Sequence, residues 1–278
     1  MEYLDQMGER AVAAKKSLQS LEAEEKNKIL LQIAQALPAN AERILQENAK
    51  DYAIAEENGM SQGLLDRLKL TRERIEGMAE GIRQITELSD PVGQVIETIE
   101  RPNGLHIEKV RVPMGVIGII YEARPNVTAD AFGLCFKSGN VVILKGGKDA
   151  LYSNLAVTGV IRSVLTDTGI DPNVIQLIDN NDRSVTTEFM RLKKYVDLLI
   201  PRGGAGLIRA VVENSTVPVI ETGTGNCHIY VDEEADLAKA IPIIINAKTQ
   251  RIGVCNACES ILVHEKIADA FLPALGKA

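Results

Sequence analysis

Long apolar runs are missing from this 278-residue sequence, as are an excess of basic charge and enough cysteine for a disulfide framework. The longest apolar stretches, such as 116–120 and 241–245, are far too short to span a bilayer. Met1-Glu2-Tyr3-Leu4-Asp5 carries neither a basic leader nor an apolar core, so it does not read as a secretory signal. The net charge of −7 argues against a nucleic-acid partner or an anionic membrane surface. Four cysteines in a chain of this length point to a reducing, cytoplasmic compartment. Also absent is a Gly-x-Gly-x-x-Gly after the first strand of the α/β region, which removes the usual dinucleotide fingerprint. There is no internal repeat and no low-complexity segment.

What is present is an ordinary globular balance, 45% apolar and 25% charged, enough for one large α/β domain or two smaller ones. The first ninety residues read as helices. Leu21, Ile29, Leu30, Ile33 and Leu37 recur at helical spacing, and Pro38 is expected to stop that run. Asn40 is the expected N-cap of a helix closed by Gly59, and another helix is expected after Thr71, with Pro91 beyond its end. Residues 92–100 and 105–112 are β-prone and joined by Arg101-Pro102-Asn103-Gly104, which predicts a hairpin over 92–112. Its open edges hint at pairing with another subunit.

From Gly115 onward apolar strands at 116–121, 141–144, 174–178, 196–200 and 217–220 alternate with helical stretches at 129–137, 154–166, 185–192 and 206–214. This is the pattern of a parallel, Rossmann-type sheet covered on both faces, with ligands expected at the carboxyl ends of its strands. Those ends read Glu122-Ala123-Arg124-Pro125-Asn126, Lys145-Gly146-Gly147-Lys148, Pro201-Arg202-Gly203-Gly204 and Glu221-Thr222-Gly223-Thr224-Gly225.

The most informative segment runs from Asn246 to Ser260. It follows a helical apolar run and breaks at Gly253, which places Cys255 at a chain reversal. A thiol near backbone amides and near Arg251 would favour its thiolate. A competing reading is a Cys-x-x-Cys metal or redox site at Cys255 and Cys258, with Cys227, His228 and His264 as further zinc donors. Only one Cys-x-x-Cys pair is present and the other spacings are irregular, so the sequence points to no metal, with Cys258 as a packing residue.

At these segments the chain resembles the aldehyde dehydrogenase superfamily and, within it, the gamma-glutamyl phosphate reductases, along nearly its whole length. The strings from Pro113 to Thr128, at Lys145-Gly146-Gly147, at Pro201-Arg202-Gly203-Gly204, at Glu221 to His228 and at Gly253 to Ala257 carry the resemblance, and Glu122-Ala123-Arg124-Pro125-Asn126 is the most particular to the reductases. It implies an aldehyde-dehydrogenase-like α/β fold with N-terminal helices, a protruding hairpin and a second α/β catalytic domain. The expected organisation is an NADP-binding domain over 1–220 and the beginning of a catalytic domain over 221–278, which looks incomplete beside the family. On that reading the chain binds NADPH but catalyses poorly, and the full-length protein is a homo-oligomer.

The implied reaction is NADPH-dependent reduction of L-glutamate 5-phosphate to the 5-semialdehyde with release of phosphate, a step of proline biosynthesis. Cys255 corresponds to the nucleophile that forms a thioacyl enzyme, and Asn126 to the amide that stabilises the oxyanion. Lys145 matches a lysine set against the cofactor ribose, in a loop that includes Gly146 and Gly147. Lys148 stands where NAD-preferring relatives often carry glutamate, which favours NADPH because an ammonium attracts a 2′-phosphate. Gly203 and Gly204 would let backbone approach the cofactor. Glu221 matches a glutamate that activates water in aldehyde-oxidising relatives; here phosphate resolves the thioacyl enzyme, so Glu221 is either a positioning residue, grouped with the cofactor residues, or simply the end of its strand. Arg124 and Arg251 are the candidate phosphate-binding residues. Two alternatives stand beside this: a CoA-acylating aldehyde dehydrogenase, and a cofactor-binding module without catalysis.

Overall fold

The computed structural model describes residues 2–223, 225–252 and 254–278. The chain divides into two compact units, Met1–Thr222 and Gly223–Ala278. The larger begins with helices α1 (Glu2–Gln19), α2 (Ala23–Ala39), α3 (Ala41–Glu57), α4 (Gln62–Leu68) and α5 (Arg72–Glu87). Each longer helix buries one stripe; α2, which packs against α5 and α7, buries Ile29, Leu30, Ile33 and Leu37.

Two of the expected boundaries shift. Pro38 lies inside the last turn of α2 instead of ending it, a position where few turns follow to be disrupted. Asn40 sits between α2 and α3, but its side chain caps nothing ahead of it: its Nδ2 donates back to the Ala36 carbonyl at 2.8 Å. Thr71 does cap α5, its Oγ1 accepting from the Arg74 amide at 3.2 Å. Gly59 follows α3 with φ at +72°, a conformation that favours glycine.

The hairpin is β1 (Val95–Glu100) with β2 (His106–Val110), antiparallel and shorter than the sequence pattern suggests. Gly104 donates to the Arg101 carbonyl at 2.9 Å across the turn and has φ at +80°, with Pro102 in the first corner. This is a type I turn closed by a left-handed glycine, one of the common hairpin loops. Almost every residue of both strands is exposed.

The main sheet is parallel, in the order β5–β4–β3–β6, from β3 (Val116–Tyr121), β4 (Val141–Lys145), β5 (Ile175–Leu177) and β6 (Leu198–Arg202). Every residue of β3 and β4 is buried, so both faces are covered. Between the strands run α6 (Asn126–Lys137), α7 (Leu151–Asp167), α8 (Arg183–Phe189) and, after β6, α9 (Ala205–Asn214).

The strand expected at 196–200 begins later, because the amides of Tyr195 and Val196 turn back to the Leu192 carbonyl. The strand expected at 217–220 does not form. Val219 makes a single parallel bridge to Leu199, with Leu199 donating to the Pro218 carbonyl at 2.8 Å and Ile220 to the Leu199 carbonyl at 3.0 Å. Pro218 brings no N–H, so the ladder cannot lengthen.

The smaller unit is a β-α-β element closed by a last helix: β7 (Cys227–Val231), α10 (Leu237–Thr249), β8 (Cys258–Val263) and α11 (Glu265–Lys277). Its two strands are parallel, which requires the crossover helix between them. Val231, Ile244 and Phe271 form its buried centre. Among the described residues, no helix is long and apolar enough to cross a membrane.

Candidate functional site

Strand order places the chemistry of the larger unit. The chain leaves β3 toward β4 and β5, then returns to the other side of β3 as β6, so the crevice between the tails of β3 and β6 is the topological switch point. At that crevice the Glu122 amide donates to the Arg202 carbonyl at 3.2 Å. The Glu122 carboxylate accepts from the Gly204 amide at 2.9 Å, so it meets the positive N-terminus of α9. A Cβ on Gly203 would lie 2.8 Å from both the Glu122 carboxyl carbon and a Leu207 methyl, so glycine is needed there for close approach. Gly203 and Gly204 therefore receive a side chain of the protein's own. Glu122 escaped sequence reasoning because the contact joins loops 82 positions apart.

Beside this contact lies a cavity of about 310 Å³, walled by Tyr121, Glu122, Lys145, Gly146, Gly147 and Lys148 from the tails of β3 and β4, with Asn181 and Arg183 opposite. Lys145 is buried, and its ammonium donates to the Gly146 carbonyl at 3.2 Å and to Asn181 Oδ1 at 3.3 Å. Burial lowers its pKa, while the nearby charge of Asp179 works in the opposite sense. Gly146 has no room for a side chain: a Cβ would sit 2.3 Å from Asn154 Nδ2 and 3.2 Å from the Tyr121 hydroxyl. Behind it Tyr121 Oη and Thr128 Oγ1 are 2.7 Å apart, and Thr128 donates to Asn154 Oδ1 at 3.0 Å. Lys148 is exposed, in a single 3-10 turn, Lys148–Ala150, whose next residues are capped by Asp51 through the amides of Tyr152 and Ser153. Asn181 lies in the polar loop after β5 and Arg183 is the first residue of α8; their signal in sequence is their place after that strand.

Asn126 opens α6 and is exposed. Its Nδ2 donates to Asp130 Oδ2 at 3.0 Å, one helical turn on. Burial raises the Asp130 pKa and the Asn126 amide partly offsets that. Arg124 is half-buried, and its amide donates to the Glu122 carbonyl at 2.7 Å. Glu221 is exposed and outside any strand.

In the smaller unit Cys255 is exposed, between the end of α10 and the start of β8, with the exposed Arg251 just after α10. Gly225 passes so close that a Cβ there would come 2.3 Å from the Cys255 carbonyl oxygen, and Cys227 Sγ donates to the same oxygen at 3.6 Å. Cys258 is buried at the head of β8, where it pairs in register with Cys227. Gly253 and Thr224, which the sequence reading marked as part of these loops, lie outside the described residues. Among the described residues, no group of three or more His, Cys, Asp or Glu side chains is arranged to hold a metal ion.

The chain that carries these features has known relatives. Residues 2–278 match the model of the aldehyde dehydrogenase family. A gamma-glutamyl phosphate reductase of Lachnospira eligens is 56% identical over 278 residues, covering 100% of this chain and 67% of the relative. That of Moorella thermoacetica is 58% identical over 271 residues, covering 98% and 65%. The crystal structure of the gamma-glutamyl phosphate reductase of Thermotoga maritima superposes with a TM-score of 0.88 at 49% identity, covering 99% of this chain and 66% of that one. The chain thus spans about two thirds of the length of the relatives it matches. It belongs to the aldehyde dehydrogenase family, among the gamma-glutamyl phosphate reductases.

Proposed function

We propose that this chain carries the nucleotide cavity and the nucleophile of an NADPH-dependent reduction of L-glutamate 5-phosphate to L-glutamate 5-semialdehyde with release of phosphate, a step of proline biosynthesis. The observation that supports it most is the exposed Cys255, held on a loop that Gly225 and Cys227 approach closely, in a chain more than half identical to named reductases.

The Cys255 sulfur attacks the acyl carbon, and the C–O bond to phosphate breaks, leaving a thioacyl enzyme and free phosphate. When bound, the nicotinamide supplies a hydride to that carbon. Collapse of the resulting thiohemiacetal oxyanion returns the electron pair to sulfur and frees the aldehyde. The Asn126 amide is assigned to that oxyanion, a donor worth ~10²–10³ in rate in comparable sites. Its bond to Asp130 fixes the rotamer of the amide from within the same helix.

The residues of the sheet-end cavity fit a phosphorylated nucleotide. Lys145 is anchored for a ribose hydroxyl, Gly146 and Gly147 keep the wall low, and the exposed Lys148 offers a positive charge for a 2′-phosphate. Glu221 is assigned a positioning role toward the same cofactor. Arg124 and Arg251 are assigned to the anionic groups of the substrate. This makes 1–220 the NADP-binding part and 221–278 the part carrying the nucleophile. The hairpin, exposed along both strands, is the element we assign to contact with a second copy.

The test is NADP⁺ reduction by L-glutamate 5-semialdehyde, with and without inorganic phosphate, on the native chain and on Cys255→Ala. Phosphate-dependent reduction lost in the variant is the expected result. Reduction that depends on coenzyme A and ignores phosphate would point instead to the acylating aldehyde dehydrogenases.

A further inference from the structure

A second cavity, of about 360 Å³, lies next to the first and shares Glu122 and Gly147 with it. Its lining is unusual in sign. Two arginines, Arg67 and Arg124, and two acids, Glu122 and Asp149, line it beside the apolar Met60 and Leu64. The volume is that of a small-molecule pocket. A pocket that only attracted phosphate would gain nothing from two carboxylates, which repel it. An α-amino acid end fits both signs at once, with a carboxylate for arginine and an ammonium for the acids, and its methylene chain fits the apolar wall.

The element carrying Arg67 is held more firmly than a seven-residue surface helix requires. Leu65 and Leu68 of α4 are buried with Ala55 and with Ala150 of the cofactor loop, Ala123 lying against the same cluster. Asn48 brackets the end of α4, its Nδ2 donating to the Leu68 carbonyl at 2.9 Å and its Oδ1 accepting from the Leu70 amide at 2.8 Å. The Arg74 guanidinium adds bonds to the Lys69 carbonyl at 2.5 Å and to Asp66 Oδ1 at 2.8 Å. So short a helix would otherwise fray, and these bonds fix the position from which Arg67 projects. Arg124 comes from the connection that leads, two residues later, to Asn126.

We propose that this cavity receives the α-amino-acid end of the substrate. Arg67, joined by Arg124, takes the α-carboxylate, and Asp149 and Glu122 face the α-ammonium. Arg67 is then a specificity-determining residue that separates amino-acid substrates from simple acyl chains. The inference rests on the reductase reading above but concerns the other end of the same molecule.

Binding of three probes by isothermal titration tests it: L-glutamate, glutarate (no ammonium) and 4-aminobutyrate (no α-carboxylate), each with NADP⁺ binding measured alongside. L-Glutamate should bind at least about tenfold more tightly than either analogue, a difference of ~1.4 kcal/mol. Arg67→Gln should erase that preference, and Arg67→Lys, which keeps the charge but loses the fork, should retain part of it. Both variants should melt at the native temperature and bind NADP⁺ normally, because Arg67 is only half-buried and outside the cofactor cavity. Equal binding of L-glutamate and 4-aminobutyrate, no L-glutamate binding, or an unchanged preference in Arg67→Gln would each overturn the inference. Loss of NADP⁺ binding in the native chain would instead count against the reductase reading itself.

Discussion

The two compact units hold their chemistry in opposite ways. In Met1–Thr222 the polar groups of the cavity are tied down: Lys145 to a carbonyl and an amide oxygen, Glu122 to a helix N-terminus, Tyr121 and Thr128 to each other. Behind them lies a continuous core that includes the tilted ring pair Phe132 and Phe136, centroids 5.3 Å apart. In Gly223–Ala278 the buried centre is small, and Cys255 is exposed on a loop shaped by backbone approach. A binding surface for a large cofactor benefits from rigid, pre-oriented donors, whereas a nucleophile has to be reachable by its substrate. On the function proposed above, the larger unit would position the cofactor and the smaller one carry the nucleophile.

Removing the amide assigned to the oxyanion should show the largest effect. Asn126→Ala is expected to lower kcat by ~10²–10³ with little change in NADP⁺ affinity. A loss confined to KM in steady-state kinetics would remove Asn126 from the oxyanion role.

Next come two core truncations, each expected to cost ~3–5 kcal/mol where it acts. Phe271→Ala should melt the smaller unit in hydrogen exchange and leave NADP⁺ binding in place, while Phe132→Ala should destabilise the larger unit and weaken NADP⁺ binding. Parallel loss of protection in both units from either substitution would break the comparison.

A smaller effect is expected from Lys148→Glu. Reversing an exposed charge near a 2′-phosphate is worth ~1–2 kcal/mol once solvent screens it, so the preference for NADP⁺ over NAD⁺ should fall by about tenfold or somewhat more. Affinities that move together for both nucleotides would mean that Lys148 does not read the 2′-phosphate.

The smallest concerns Asp130, whose pKa burial raises. A raised carboxyl pKa gives stability that is present below the unfolded value and lost as pH rises through the folded one. Asp130→Asn, whose amide oxygen can still accept from Asn126, escapes that loss. Its Tm advantage over the native chain should therefore grow from acidic to neutral pH. A pH-independent difference in thermal melts would contradict the assignment.

Much of the fold was legible because its signals are local. The near-continuous apolar runs of β3 and β4 read as strands buried on both faces, the helix after Thr71 carries its apolar residues on one face, and Asn103-Gly104 marked the hairpin turn. Where a single backbone group decided the outcome, the pattern misled. Residues 217–220 are apolar enough for a strand, yet Pro218 withholds the amide a ladder needs. Of the candidate site, the loops at strand ends were readable, since a parallel sheet exposes its chemistry there. Glu122 as a partner of Gly204, and Arg67 on a helix too short to show periodicity, were not, because their roles depend on contacts between segments distant in the chain.

The most direct measurement is a single turnover followed by mass spectrometry. The chain is mixed with NADP⁺ and L-glutamate 5-semialdehyde in phosphate-free buffer, digested and mapped. One glutamyl group should be found on the peptide carrying Cys255, formed together with NADPH and discharged when inorganic phosphate is added. NADPH formation with an unmodified Cys255, or an adduct on Cys227 alone, would contradict a thioacyl route through this cysteine.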